Sequence, residues 1–429
     1  MDLSEIENSL LDGRIKGLPG GLAPFPLAAI GAKSWNVLAE DLPLPLCVLR
    51  RSALEYNGNW MRAFLERSAA VISPHGKTTM SPQLFSRQIA DGAWAITVGN
   101  VHQLQVARHY GCERIVLANQ LVGRQGLRFV LAELARDPKF DFYCLVDSVA
   151  LIDRMADAAR AAGSTRPIQV FLEGGFAGGR TGVRDKKTAR DVARAVKAAE
   201  PYLALRGVEG FEGLISGDDR AERVGRFLDF LIDLAQMIDR EELCAPGPMV
   251  LTAGGSAFYD IVVEKFHAAN LRRQTMILTR SGCYLTHDSG MYARHFTAIR
   301  GRSPLAAALG EPQAAMEVWA YVQSRPEPTR ALVTMGKRDV SFDRDLPVPL
   351  KWHRPGANAR TPRVVPPGHR IAALNDQHGY LDLPADSPLQ VGDLVGFGIS
   401  HPCLTFDRWQ TIMLVDDDYD VVGAVRTFF

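Results

Sequence analysis

The sequence predicts an α/β protein in which a (β/α)8 TIM barrel is followed by a second, mostly β domain. Short apolar runs alternate with longer amphipathic stretches between about residues 69 and 280. Polar residues and glycines follow each apolar run, and prolines cluster after about residue 300, where helical periodicity fades. Alternating β and α units are typical of a parallel sheet, and eight units in about 200 residues fit a barrel.

Eight apolar runs are the candidate barrel strands, and amphipathic stretches between them are candidate helices. The strand candidates are Ala69–Ile72, Ala95–Val98, Arg114–Leu117, Phe142–Val146, Gln169–Leu172, Val208–Ile215, Met249–Thr252 and Thr275–Leu278. The helix candidates include Ser81–Asp91, Val101–Tyr110, Ser148–Ala162 and Ala221–Asp239. A doubly wound open sheet is the alternative arrangement of the same elements.

The C-terminal part has the pattern of a separate β domain. Its β-rich runs are Glu317–Gln323, Arg330–Met335, Leu394–Ile399, Thr411–Val415 and Val421–Phe428. We divide the chain into an N-terminal extension (1–45), a barrel (46–295) and a β domain (296–429). One extra strand, Pro45–Arg50, could join either domain.

The composition excludes several classes of partner. Lys plus Arg number 49 and Asp plus Glu number 48 in 429 residues. This near balance gives no excess of positive charge of the kind that binds nucleic acid or an anionic membrane. The N-terminal segment has no signal-peptide pattern, and no apolar run approaches the length of a bilayer span. The six cysteines form no CxxC, as expected of reduced thiols. We therefore expect a cytoplasmic protein that acts on a small molecule.

Lys77 is the first candidate for chemistry. It follows the first predicted strand, in the segment VISPHGKTTM (71–80). A lysine at the end of a buried strand, facing a loop, is costly to keep charged. Its neutral amine forms Schiff bases with carbonyls, including that of pyridoxal phosphate. The alternative is a lysine that simply extends to solvent.

Two glycine-containing turns follow the seventh and eighth predicted strands, where barrels commonly bind phosphate. The first contains Gly254, Gly255 and Ser256, and the second contains Gly282 and Tyr284. Backbone N–H groups in such turns can approach an anion without obstruction by a side chain. Together with Lys77 at the end of the first strand, the two turns predict a site for a phosphorylated cofactor.

His401 and Cys403 form a candidate metal site. Imidazole nitrogen and thiolate two residues apart favour zinc, and two protein ligands leave the metal open for water or substrate. His378 is a third candidate for chemistry. It could equally be a loop histidine that hydrogen-bonds to backbone.

From about Leu46 to its end, the chain resembles the fold-type III pyridoxal-phosphate enzymes, and among them the D-serine dehydratase / D-threonine aldolase family. The family's Pro-His-x-Lys-Thr cofactor motif is matched around Lys77. The matching segments are Pro74-His75-Gly76-Lys77-Thr78, Leu117-Ala118-Asn119, Gly179-Arg180-Thr181-Gly182-Val183, Gly254-Gly255-Ser256, Gly282 with Tyr284, His378-Gly379 and His401-Pro402-Cys403.

The resemblance implies an alanine racemase-like barrel and β domain, a homodimer, pyridoxal 5'-phosphate on Lys77, and a divalent metal, zinc by its ligands, on His401 and Cys403. It also implies a set of cofactor-binding residues, with Lys77 and His378 as catalytic residues. The cofactor-binding set is Lys77, His75, Asn119, Arg180, Thr181, Gly254, Gly255, Ser256, Gly282 and Tyr284.

Three positions depart from the family pattern. Ser73 replaces the usual arginine before the Pro-His pair, and Gly175 replaces an acidic residue, although Glu173 remains nearby. The segment Leu214–Asp219 lacks a Gly-His pair that the family often has. These departures affect the expected substrate more than the expected cofactor.

The resemblance implies a lyase that acts on D-3-hydroxy amino acids. Family dehydratases resemble this chain in their His-x-Cys pair, whereas family aldolases tend to carry His-x-Asp and a harder metal. Cys403 therefore favours a dehydratase that converts D-serine or D-threonine to a 2-oxo acid and ammonia. A D-threonine-type aldolase, an amino-acid racemase and a non-catalytic pyridoxal-phosphate carrier are the alternatives.

Overall fold

The structure is a computed structural model that describes residues 1–356 and 361–429. Its strands, in chain order, are β1 (Leu10–Leu11), β2 (Phe25–Pro26), β3 (Leu46–Arg50), β4 (Val71–Ile72), β5 (Ile96–Val98), β6 (Arg114–Gln120), β7 (Asp141–Val146), β8 (Ile168–Gly174), β9 (Leu203–Gly210), β10 (Met249–Thr252), β11 (Thr275–Thr279), β12 (Met316–Glu327), β13 (Arg330–Val333), β14 (Val348–His353), β15 (Arg363–Val364), β16 (Arg370–Leu374), β17 (Gly379–Asp382), β18 (Leu394–Gly398), β19 (Thr411–Val415) and β20 (Val421–Arg426).

The α-helices are α1 (Ser4–Glu7), α2 (Arg51–Arg67), α3 (Pro82–Ala90), α4 (Val101–His109), α5 (Arg124–Arg136), α6 (Val149–Ala161), α7 (Lys186–Ala198), α8 (Arg220–Arg240), α9 (Tyr259–His267), α10 (Met291–Arg302), α11 (Pro304–Ala308) and α12 (Cys403–Phe406). Short 3-10 helices cover Leu27–Lys33 and Gly76–Thr78. None of the helices in the described part of the chain has the length and apolarity needed to cross a bilayer.

Strands β4 to β11 form one parallel sheet in the order β4-β11-β10-β9-β8-β7-β6-β5. The two end strands meet, because the Trp94 N–H donates to the Ile72 carbonyl (2.8 Å) and the Thr97 N–H donates to the Pro74 carbonyl (2.9 Å). A sheet that closes on itself is a barrel, so the (β/α)8 prediction is confirmed and the open-sheet alternative is wrong.

The sixth barrel strand lies earlier than predicted. It covers Leu203–Gly210 rather than Val208–Ile215. The apolar pair Leu214–Ile215 that suggested the later strand lies in a turn, in which the Ile215 N–H donates to the Glu212 carbonyl (2.9 Å). Phe211 and Glu212 therefore follow this strand directly, whereas Ser216 and Gly217, which would follow a strand ending at Ile215, lie farther along the chain.

The C-terminal domain is a ten-stranded sheet that includes the early strand β3. Strand β3 pairs antiparallel with β12 and parallel with β19. The predicted domain boundary at residue 46 therefore has to be corrected, because Leu46–Arg50 belongs to the β domain. All five predicted β runs of this domain are present, whereas β14 to β17, which are short and partly exposed, were not predicted.

The N-terminal extension packs on the β domain. Val37 and Leu38 are buried in one apolar cluster with Trp319 of β12, Tyr419 and Val421. The Val37 N–H also donates to the Tyr419 carbonyl (3.1 Å). The extension therefore covers one face of this sheet and also contacts the end of α4 in the barrel, where the Asp2 N–H donates to the Tyr110 carbonyl (3.0 Å).

Asn57 of α2 links the barrel to the connection between the domains. Its side chain is 1% exposed. The Asn57 Nδ2 donates to the carbonyls of Leu285 (2.9 Å) and Gln313 (2.7 Å), and Oδ1 accepts from the Gln313 N–H (2.8 Å). Three hydrogen bonds from one buried amide fix the position of the connecting segment relative to the helix layer.

We expect Asn57→Ala to lower the free energy of unfolding by about 2–4 kcal/mol, because it leaves buried carbonyls without donors. Urea unfolding followed by circular dichroism measures the change. Asn59→Ala is the matched control, since Asn59 is exposed on the same helix, and should change stability by less than about 0.5 kcal/mol. Equal effects of the two substitutions would contradict this role for Asn57.

Candidate active site

Lys77 lies at the C-terminal mouth of the barrel. Strand β4 ends at Ile72, and the chain then enters the 3-10 turn Gly76–Thr78, which carries Lys77. The side chain is exposed in this turn, so the prediction of a desolvated lysine is wrong. The exposed side chain follows the C-terminal end of β4, where a carbonyl compound could reach its amine.

His75 precedes Lys77 in the same segment. Its Nδ1 is buried and has no hydrogen-bond partner in the described part of the chain. Burial lowers the pKa of His75 well below its usual value, and the charges of Lys77, Arg280 and Arg180 lower it further. The ring is therefore a neutral, flat surface beside the lysine.

Gly282, which follows β11, approaches the lysine segment closely. A Cβ at this position would lie 2.6 Å from the His75 carbonyl oxygen and 2.7 Å from the Thr78 Oγ1. Because atoms at such distances collide, only glycine allows the end of the eighth strand to pack against the Lys77 turn.

The turn after β10 binds a carboxylate of the protein itself. The N–H groups of Gly254 and Gly255 donate to the two oxygens of Glu212 (3.0 and 2.7 Å), and Gly254 has a left-handed φ of +93°. The phosphate contact predicted for these two N–H groups therefore competes with Glu212. The N–H groups of Ser256 and Gly282 have no acceptor among the described residues.

Glu209 and Arg280 form a buried ion pair inside the barrel. Arg280 Nη2 also donates to the Gly210 carbonyl (3.0 Å), whereas Arg280 Nη1 and Glu209 Oε2 have no partner among the described residues. Burial raises the pKa of Glu209 to about 7, although the charge of Arg280 opposes the shift. A carboxyl with this pKa is partly protonated near neutral pH.

Glu173 organises the residues that follow β8. It accepts hydrogen bonds from Gln120 and from the Thr181 hydroxyl (2.7 Å), and burial raises its pKa. Arg180, next to Thr181, is exposed, and its guanidinium lies 4.5 Å from the centre of the Phe211 ring. Thr181 is thus held as part of the site wall, while Arg180 faces the mouth.

Three predicted site residues lie farther from the lysine turn. The Asn119 amide donates to the Gly99 carbonyl (2.6 Å) at the barrel rim. The phenol of Tyr284 hydrogen-bonds to Gln88 in the helix layer. His378 is exposed in the turn between β16 and β17. The assigned roles of these three residues stay predictions.

The β domain contributes His401 and Cys403, which lie against the lysine turn. Cys403 Sγ is 3.6 Å from Thr78 Oγ1 and 3.7 Å from Cys283 Sγ. His401 Nδ1 is 2.7 Å from an oxygen of Asp343. This contact leaves Nε2 as the nitrogen that could bind a metal, because a ligand histidine usually donates its other ring N–H to a carboxylate.

His401 and Cys403 influence each other's protonation. Hydrogen bonding to Cys403, with a contribution from Asp343, raises the pKa of His401 to about 9. Hydrogen bonds from Cys283 and His401 lower the pKa of Cys403 well below its usual value. Across residues 1–356 and 361–429, no three His, Cys, Asp or Glu side chains could hold a metal ion together. The candidate metal site therefore offers two protein ligands.

Asp288 positions His401. Its Oδ2 accepts from the His401 N–H (2.9 Å), and its Oδ1 accepts from the N–H groups of Gly290 (2.9 Å) and Tyr292 (2.8 Å) at the start of α10. His401 has a left-handed φ of +57°, which is uncommon for a residue with a side chain. The carboxylate of the barrel domain thus fixes an unusual backbone conformation in the β domain.

Six residues that shape this site were not singled out as site residues from the sequence. They are Glu209, Glu212, Arg280, Cys283, Asp288 and Asp343. Arg280 could have been found, because it directly follows a correctly predicted strand. The sequence carries no local signal that Asp288 and Asp343 contact His401, which lies 113 and 58 residues away from them.

The chain is similar to characterised lyases. Residues 315–415 match a family model described as "Putative serine dehydratase domain". The chain is 24% identical to D-threonine aldolase of Arthrobacter sp over 87% of its own length and 89% of the relative's. It is also 24% identical to 3-hydroxy-D-aspartate aldolase of Paracoccus denitrificans (strain Pd 1222), over 72% and 76% of the two chains. The resemblance inferred from the sequence motifs is confirmed.

Solved structures share the fold. D-threonine aldolase from Filomicrobium marinum superposes with a TM-score of 0.73 at 23% identity, covering 90% of this chain and 95% of that one. A metal-free cysteine-to-alanine variant of D-threo-3-hydroxyaspartate dehydratase gives 0.70 at 20%, covering 92% and 99%. Alanine racemase of Clostridium difficile 630 gives 0.60 at 13%, covering 90% and 99%. The alanine racemase-like architecture is therefore confirmed.

The raised pKa of Glu209 predicts a pH dependence of stability. Its pKa is about 7 in the folded protein, against an ordinary value of 4.5 for a glutamate in water. Between these values the folded state holds a proton that the unfolded state has lost, so stability falls as pH rises. Relative to Glu209→Gln, the wild-type free energy of unfolding should fall by up to about 3 kcal/mol from pH 4.5 to 7.

Urea unfolding of both proteins at several pH values measures this slope. Glu200→Gln, at an exposed position, is the control and should keep the wild-type slope. Parallel profiles for the wild type and Glu209→Gln would contradict the protonation of this buried pair.

Proposed function

We propose that this protein is a pyridoxal 5'-phosphate- and metal-dependent lyase that eliminates the β-hydroxyl of a D-3-hydroxy amino acid as water and, after hydrolysis of the product, gives a 2-oxo acid and ammonia. The observation that carries the proposal is the contact between the two domains at the lysine turn. Thr78, the neighbour of Lys77, lies 3.6 Å from the thiol of Cys403. This contact sets the candidate metal ligands next to the candidate cofactor lysine, as a reaction at adjacent substrate carbons requires.

The residues at the barrel mouth fit a phosphorylated aldehyde. Lys77 offers an exposed amine, and the neutral ring of His75 lies beside it. The turn after β10 already binds an anion, the carboxylate of Glu212. Because Glu212 occupies the N–H groups of Gly254 and Gly255, the N–H groups of Ser256 and Gly282 are the ones that would remain for the cofactor's phosphate.

Lys77 would hold the cofactor through its amine and, once free, take the proton from the substrate Cα. Pyridoxal phosphate, when bound, supplies an electron sink that stabilises negative charge on Cα. Arg180 is exposed at the mouth and can attract the anionic substrate and cofactor groups. His75 stays neutral and adds no charge next to the amine.

His401 and Cys403 would hold the metal through Nε2 and Sγ, with Asp343 orienting the imidazole. A metal ion in this position supplies Lewis acidity to the substrate's β-hydroxyl. Zinc is the metal that this pair of ligands favours.

The protonation of the neighbouring groups disfavours a base at this position. Hydrogen bonding to Cys403, together with burial, raises the pKa of Cys283, and burial raises the pKa of Tyr292. Neither side chain is therefore a base for the β-hydroxyl, which aldol cleavage requires. Their raised pKa also makes them weak acids, so loss of the hydroxide would rely on the Lewis acidity of the metal. The aminoacrylate product would hydrolyse to a 2-oxo acid and ammonia.

Aldol cleavage is the second candidate, because both of the similar proteins compared above by sequence are named as aldolases. In that reaction the β-hydroxyl loses its proton and the Cα–Cβ bond breaks. The same lysine, cofactor turn and metal pair would serve. The two reactions differ in what the groups near the hydroxyl do, and so in their products.

Product analysis with D-threonine distinguishes the two reactions. We expect 2-oxobutanoate and ammonia in equal amounts, measured by chromatography and an ammonia assay. Glycine and acetaldehyde in place of these products would overturn the elimination and support the aldolase. D-alanine is the control substrate, because it lacks the hydroxyl and should give neither set of products.

Lys77→Arg should lower kcat by at least about 1,000-fold, because arginine holds its proton too tightly to act as a base. Borohydride reduction should fix the cofactor to the Lys77 peptide of the wild type and to no peptide of the variant. Lys337→Arg, a lysine of the β domain, is the control. A reducible covalent link in Lys77→Arg would refute the cofactor assignment.

Removal of metal by a chelator should abolish turnover of D-threonine and leave cofactor absorbance in place, because the metal and the cofactor have separate ligands. Added zinc should restore activity to the wild type but not to His401→Ala. His102→Ala, on helix α4 outside the barrel, is the matched control and should recover fully. Undiminished turnover by metal-free wild-type protein would reject the role of the metal.

A further inference from the structure

Two thiols from different domains meet beside the lysine turn. Cys283 follows β11 of the barrel and Cys403 begins α12 of the β domain. Their Sγ atoms are 3.7 Å apart. We propose that they form a peroxide-reactive site, in which Cys403 is oxidised first and Cys283 then closes a reversible disulfide between the domains.

The distance between the sulfurs is compatible with bond formation. A disulfide has an S–S distance of about 2.05 Å, so the two sulfurs must approach by about 1.7 Å in total. The required approach is shorter than the 3.7 Å that now separates the two sulfur atoms. Thr78 Oγ1 is 3.6 Å from each sulfur atom. With the two sulfur atoms 3.7 Å apart, the three atoms form a nearly equilateral triangle, so the hydroxyl does not separate the two thiols.

The exposure of the two thiols assigns their order of reaction. Cys283 is 3% exposed, whereas Cys403 is partly exposed. A small oxidant therefore meets Cys403 first, and the buried Cys283 is placed to react with the oxidised sulfur. An accessible thiol next to a second one is the arrangement found in reversible redox sites.

The other four cysteines do not share this arrangement. All four are buried, and two of them donate to backbone carbonyls: Cys112 to Arg114 (3.4 Å) and Cys244 to Leu205 (3.2 Å). None of the four contacts a second thiol in the described part of the chain. Oxidation should therefore select Cys283 and Cys403.

The chemistry is balanced by hydrogen peroxide as the two-electron oxidant. The Cys403 thiolate attacks one peroxide oxygen, the O–O bond breaks, and hydroxide leaves as water after it takes a proton. The sulfur of Cys283 then attacks the sulfur of Cys403, the S–O bond breaks, and a second water leaves with the proton of Cys283. In total, two thiols and one peroxide give one disulfide and two waters.

This disulfide would have two consequences for the site. It would remove the Cys403 thiolate, so a disulfide and a metal on Cys403 exclude each other. It would also join the β domain covalently to the loop after β11, which packs against the lysine turn through Gly282. Oxidation by peroxide would thus prevent metal from binding to Cys403.

The test uses full-length protein freed of metal by a chelator and treated with one equivalent of hydrogen peroxide. Free thiols are then blocked with N-ethylmaleimide, and peptides are mapped by mass spectrometry. We expect two of the six thiols to be lost, a linked peptide pair that contains Cys283 and Cys403, and full recovery with dithiothreitol. Six intact thiols, or a link between other cysteines, would overturn the proposal.

Two variants sharpen the result. In Cys283→Ser, Cys403 should stop at the sulfenic acid and be labelled by dimedone, since no second thiol is present. In Cys244→Ser, a buried cysteine away from the pair, the disulfide should form as in the wild type. Failure of dimedone to label Cys403 in Cys283→Ser would refute the order of reaction, and the wild-type peptide map tests the pair even if this variant misfolds.

One further experiment rests on the proposed metal site. Protein loaded with one equivalent of zinc should form the disulfide at least about ten times more slowly than metal-free protein, because the metal engages the attacking thiolate. If zinc does not slow formation of the disulfide, and the disulfide still forms without metal, Cys403 is not a metal ligand but the proposal of a reactive thiol pair holds. Absence of the disulfide in metal-free protein would reject the thiol pair whatever zinc does.

Discussion

The carboxylate of Asp288 is the constraint on which the candidate site depends. It is 4% exposed and accepts hydrogen bonds from the start of α10 on one oxygen and from His401 on the other. Bonds from N–H groups to a buried carboxylate are stronger than those between neutral groups. Because α10 follows the last barrel strand and His401 belongs to the β domain, this one side chain sets where the candidate metal ligands meet the lysine turn.

The charges around the mouth are arranged for an anionic ligand. Lys77 and Arg180 are exposed at the mouth, whereas Arg280 is buried and paired with Glu209. His75 lies near all three cations and stays neutral. The solvent-facing cations are therefore Lys77 and Arg180, while the buried carboxylates of Glu173 and Glu212 are held by hydrogen bonds rather than by cations. Such a field draws in a phosphate or a carboxylate without requiring a buried, unpaired ion.

The sequence was sufficient for those features that depend on local pattern. The eight barrel strands and the position of Lys77 after the first of them follow from apolar runs and the residues that end them. The sixth strand was misplaced because Leu214 and Ile215 continue an apolar run beyond Gly210 and Gly213, and only the sheet pairing shows where the strand ends. The exposure of Lys77 depends on a single 3-10 turn that has no distinctive sequence.

Contacts between distant segments were beyond the reach of sequence patterns. His401 was singled out for its spacing to Cys403, but its bonds to Asp288 and Asp343 join segments 113 and 58 residues apart. Strand β3 gave no sign of its domain, because an apolar strand can be buried equally well in either sheet. The Gly254-Gly255 turn was correctly recognised as suited to an anion, yet nothing in the sequence indicates that Glu212 would supply one.

The choice between elimination and aldol cleavage comes down to the groups that can reach the β-hydroxyl. Aldol cleavage needs a proton acceptor there, whereas elimination needs a donor. His401 is a poor acceptor once it binds a metal through Nε2, because Nδ1 is already engaged with Asp343. The remaining neighbours of Cys403 include Thr78, Cys283 and, through Cys283, Tyr292, and these side chains retain their protons. Since neither Cys283 nor Tyr292 is a base, the surroundings of the candidate ligand Cys403 would favour breaking Cβ–O with the help of the metal over breaking Cα–Cβ, if the proposed reaction holds.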